Sequence, residues 1–86
     1  MTETMIITDR NEIKALFAWG VIGKSIPRND RLLDFEFEVT NPMLEARRAY
    51  AANQPIPVQS FIAASRYIDR LIAEYRLSQR RGKNDD

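Results

Sequence analysis

The 86 residues include no cysteine and no histidine. Without cysteine there is no disulfide, no thiolate metal site and no thiol nucleophile. Without histidine the commonest general base and the commonest metal ligand are both missing. Carboxylates, Lys14, Lys24, serines and tyrosines remain, and none is spaced as a nucleophile beside a base. The chain therefore reads as a non-enzyme that needs no cofactor and no metal. No apolar run approaches the roughly 18 residues of a membrane span. Met1 to Met5 lack the basic start and apolar core of a signal peptide. The expectation is a soluble, cytoplasmic protein, and the missing disulfides agree with a reducing compartment.

Glycine is scarce at three residues, and two of them lie in Gly20-Val21-Ile22-Gly23-Lys24-Ser25. That run resembles the end of a phosphate-binding P-loop. The full pattern needs glycine where Ala18 stands and a strand before the loop, where this sequence places a helix. Helix termination and close packing are the better roles for Gly20 and Gly23.

What is present is a chain of one domain's length, short enough to bury only a little over about 60% of its unfolded surface. Residues 1–80 read as one small helical domain, and the polar stretch 81–86 as a disordered tail. Charge is unevenly spread. Residues 1–41 hold five Lys/Arg against seven Asp/Glu, and residues 42–86 hold eight against five. Ten of the thirteen basic residues are arginine, the side chain suited to bidentate contact with phosphate or carboxylate.

Periodicity predicts four elements in the order helix, strand, helix, helix: a mostly α fold with a minor β component. A first helix starts at Asp9, whose spacing to Glu12 is that of a capping box. Ile13, Leu16, Phe17 and Val21 recur at helical intervals, and Pro27 closes the segment. Leu32 to Val39 alternates strictly, with Leu33, Phe35, Phe37 and Val39 on one side and Asp34, Glu36 and Glu38 on the other. Such a strand needs a partner for its backbone. The candidates are Met5-Ile6-Ile7, the same strand of a second copy, or a strand of another protein. Asn41-Pro42 opens a helix to about Ala52, with asparagine as its expected cap, and Pro55 and Pro57 stiffen the connector. The last helix runs from Pro57 to Arg80. Val58, Phe61, Ile62, Ala64, Ile68, Leu71, Ile72 and Tyr75 cover about half of its circumference at 100° per residue, wider than a minimal core stripe. Some of them also fit heptad positions, but Ser65 and Gln79 interrupt that register.

A strand followed by two helices resembles the ribbon–helix–helix repressors, in which strands of two copies pair and enter the DNA major groove. Here the polar strand face carries Asp34, Glu36 and Glu38, which opposes approach to phosphates. The resemblance implies strand pairing across a dimer, and not DNA reading; helix packing across a dimer is the other expectation for the fold. The acidic residues on alternate strand positions sit about 6–7 Å apart and diverge, so they read as a solvated face rather than a metal site.

The functional expectation is a small protein-binding module (adaptor, subunit, regulator or inhibitor) acting through the long C-terminal helix. Its partners would be a second copy and another protein. The binding residues expected are Arg47, Arg48, Phe61, Arg66, Tyr67, Arg70 and Tyr75, types favoured at binding hot spots. The alternative is a regulator that binds nucleic acid or nucleotide through the same Arg/Tyr-rich half.

Overall fold

The computed structural model of the chain describes the backbone of residues 2–84 and the side chains of residues 2–80. Among the described residues three strands and three helices follow in the order β1 (Thr4–Ile7), α1 (Arg10–Ala18), β2 (Lys24–Pro27), β3 (Leu33–Glu38), α2 (Asn41–Ala51) and α3 (Val58–Asn84). The tail expected over 81–86 falls on residues whose side chains, and for 85–86 the backbone too, lie outside the described set.

The one-strand, mostly α expectation is corrected by a three-stranded antiparallel sheet in the order β1-β3-β2. The alternating segment is its central strand. Met5 pairs with Phe37 and Ile7 with Phe35 on one side, while Ser25 pairs with Phe35 and Pro27 with Leu33 on the other. Both edges of β3 are filled from within the chain, so it cannot pair with its own copy across a dimer. Of the three partners considered for it, Met5-Ile6-Ile7 is one that it takes.

The pleat sorts the side chains. Phe35 and Phe37 are 1% exposed and face the helices, with Ile7, Ile13, Leu16, Met43, Ile68 and Ile72 around them. Asp34, Glu36 and Glu38 point the other way. That face is not simply solvated: Asp34 is buried and takes a two-pronged hydrogen bond from Arg28. That bond is the main cause of a raised Arg28 pKa, with burial acting against it. Glu36 accepts from the Thr4 hydroxyl at 3.2 Å.

Local signals set the helix ends. Asp9 caps α1, accepting from the amides of Asn11 and Glu12. The Glu12 carboxylate does not close the box and receives Arg47 at 2.8 Å instead. Gly20, at φ +86°, ends α1 in a Schellman turn, with Val21 N–H bonded to Leu16 and Gly20 N–H to Phe17. Val21 therefore lies beyond the helix. Asn53, at φ 56°, ends α2 the same way. The cap of α2 is Thr40, whose hydroxyl accepts from Met43 N–H, one residue before the expected Asn41.

Gly23 is needed for space. A Cβ there would stand 2.7 Å from Cε1 and Cζ of the buried Phe37 ring. Gly23→Ala should lower stability by about 1–3 kcal/mol, the usual cost of overpacking a core. A urea midpoint equal to wild type would show that the ring can move aside.

The helices lie on one side of the sheet, with α1 packed against both α2 and α3. The molecule is thin and long, 48 × 34 × 16 Å, with a radius of gyration of 14.3 Å. About 12 Å is expected for this length. Its accessible surface of 6235 Å² exceeds by about 1,000 Å² that of a compact monomer of this mass. The 27 residues of α3, about 40 Å of helix, account for the elongation.

Candidate protein interface

One stripe of α3 is used internally. Ala64, Ile68 and Ile72 are buried, and Phe61, Leu71 and Tyr75 are partly so. These residues sit within about 60° of Ile68 on the helical wheel. The apolar surface is wider than this stripe. Val58, Ile62, Tyr67 and Leu77 are 69%, 37%, 42% and 50% exposed. The central part of the apolar flank is thus enclosed by the chain's own fold, and its margins are not.

Where α3 passes the end of α1, the helices leave an open groove of about 430 Å³, lined by Phe17, Ala18, Ile22, Ser60, Ala63 and Tyr67 together with Ala64. The small residues Ser60, Ala63 and Ala64 make it concave. Ile22, 66% exposed, forms one lip. Phe17 links the groove to the core: its ring meets Phe35 and Phe37 edge-on at 5.7 and 5.9 Å and lies 5.9 Å from Tyr67. Arg70 stands over the Tyr67 ring at 5.9 Å, the outer limit of a cation–π contact. Asp69 is engaged elsewhere, 3.0 Å from Lys14 on α1.

The expected binding residues separate accordingly. Arg66, Tyr67 and Arg70 are exposed together on the outer side of α3. Phe61 belongs to the inner stripe. Tyr75 donates to the Asn29 carbonyl, and Arg76 Nε to that of Arg31 at 2.9 Å, so that α3 clamps the β2–β3 loop. Arg47 is held by Glu12 and by Met5 Sδ. The Glu12 bond is the main reason that its pKa is raised, against a smaller opposing effect of burial. Arg48 is exposed on α2 beside a second open hollow, lined by Glu12, Leu44, Arg47, Tyr50 and Ala51, away from α3. Tyr50 there is raised above its usual pKa, first by burial and then by Asp9 and Glu12. Its phenol thus stays protonated in the fold at a pH where the unfolded chain has begun to ionise, and any effect on stability is a loss above about pH 10.

Ile22, Ala63 and Leu77 belong to the exposed apolar set but not to the expected one. Their sequence signals were an isoleucine isolated beside Gly23, and a second series of 3- and 4-residue steps on the back of α3. Among the described residues no group of three or more carboxylates could hold a metal ion, and no helix is long and apolar enough to cross a membrane. No protein-family model, curated protein or solved structure matches the chain.

Proposed function

We propose that the chain is a small non-enzymatic protein-binding module of the cytoplasm, an adaptor, subunit, regulator or inhibitor, that acts through the outer side of α3. The observation that carries this reading is that Val58, Ile62, Tyr67 and Leu77 are exposed outside the occupied inner stripe, spread over about half of the helix circumference, with Tyr67 and Leu77 on the side away from Val58. Isolated apolar residues on a surface are ordinary. Here they accompany an open apolar groove. Tyr67, which lines the groove, and Arg70 over its ring supply an aromatic and an arginine anchor.

A nucleic-acid or nucleotide partner is the alternative, supported by Arg66 and Arg70 standing exposed beside Tyr67. It has less in its favour. Arg47 is engaged by Glu12, Tyr75 by the loop, and Glu74 lies one turn from Arg70 on the same side of α3.

The test is affinity capture from the natural host with wild type and with a Tyr67→Ser, Leu77→Ser double variant. Both side chains are exposed, so the variant should fold. Proteins recovered by wild type and by Arg48→Ala, but lost from the double variant, are the expected result. Identical recoveries from all three would remove the outer side of α3 as the working surface.

A further inference from the structure

The outer side of α3 carries a second seam. Ala63, Tyr67, Arg70, Glu74 and Leu77 follow one another at steps of four, three, four and three residues, the spacing that keeps side chains in line along a paired helix. All five are exposed, and they centre roughly 140° around the helix from Ile68. The order along this seam is apolar, basic, acidic, apolar.

That order is self-complementary in one orientation. We propose that this seam binds the same seam of a second copy, with the two α3 helices antiparallel about a two-fold axis near residue 72. This rests on the reading above and names the partner. Positions whose numbers sum to 144 then face each other. Arg70 meets Glu74 of the second copy twice over, and Tyr67 meets Leu77 twice over. The Leu77 side chain enters the groove that Tyr67 shares with Ile22 and Ala63. A parallel arrangement in register would set arginine on arginine and glutamate on glutamate, so the charges select the antiparallel one. A two-fold contact of this kind uses one patch twice and closes on itself, leaving no free copy of the seam.

The decisive experiment is a charge exchange followed by sedimentation equilibrium. Wild type should sediment at twice the 10.0 kDa chain mass. Arg70→Glu alone and Glu74→Arg alone each place like charges opposite one another at two symmetric points. Each should weaken dimerisation by more than about tenfold. Arg70→Glu combined with Glu74→Arg restores both pairs and should recover the dimer to within about threefold. Circular dichroism should show the same helicity in all four proteins, because both side chains are exposed. A wild type that stays at 10.0 kDa at its highest soluble concentration overturns the self-pairing. So does a double exchange no better than the single ones. A monomer whose outer face still captures a host protein removes this inference and leaves the module reading in place.

Discussion

Phe35→Asp should leave the protein unfolded at 25 °C. The ring is 1% exposed, lies between Ile7 and Ser25 on the central strand, and takes the edge of Phe17 at 5.7 Å. Removing a buried phenylalanine costs about 3–5 kcal/mol on its own. A carboxylate put in its place has no described cation beside it, and it must be desolvated or take up a proton, at a further cost of several kcal/mol. The sum is comparable to the whole stability of a domain this size, about 4–13 kcal/mol. Circular dichroism should show lost helix and proton NMR lost dispersion, and Phe37→Asp should behave alike. Glu38→Gln, on the exposed side of the same strand, should stay within about 0.5 kcal/mol of wild type. Near-native melting of both phenylalanine variants would mean that β3 is not the core strand.

The pattern that makes Phe35 critical is the part of the fold most legible in the sequence. Strict alternation identifies β3 because a half-buried strand has no other way to separate its faces. Asp9 and Gly20 are equally readable, since a cap and a left-handed turn each favour particular side chains. β2 leaves no such mark. It is four residues long at a sheet edge, contains Pro27, and leaves all but Ile26 exposed, so neither alternation nor apolarity announces it. Missing it leaves one edge of β3 open, so that the strand still seeks a partner in a second copy or another protein beside Met5-Ile6-Ile7. The candidate interface behaves similarly. Residue type singles out arginines and tyrosines as candidate anchors, but it cannot say which are already engaged. Arg47 finds Glu12 across 35 positions and Tyr75 finds Asn29 across 46, and no local pattern records such distant pairings. Arg66, Tyr67 and Arg70 remain available because the stripe that docks α3 lies on the opposite side of the helix.

That docking stripe carries the second large effect. Ile68→Ala should cost about 3 kcal/mol, within the 2–5 kcal/mol usual for a buried isoleucine reduced to alanine. Ile68 is fully buried, at 0% exposure, and sits with Phe35, Phe37 and Leu16 in the central cluster. Ala64 and Ile72 flank it one turn away on either side. Among the described residues α3 is held down by this narrow stripe, the contact of Tyr67 with Phe17, the Lys14–Asp69 pair, and the clamp of Tyr75 and Arg76 on the loop. The ion pair is exposed on its Asp69 side and contributes at most about 1 kcal/mol, so the stripe must supply most of the attachment. Leu77→Ala, half exposed on the seam, should leave the urea midpoint unchanged when measured at high dilution, where any dimer has dissociated. In the concentrated protein the two variants should differ in kind. Ile68→Ala loosens the fold at every concentration, whereas Leu77→Ala loses only the stability that rises with concentration. If Ile68→Ala proved as stable as wild type at high dilution, α3 would not be seated through this stripe, and its outer seam would have no fixed orientation from which to meet a second copy.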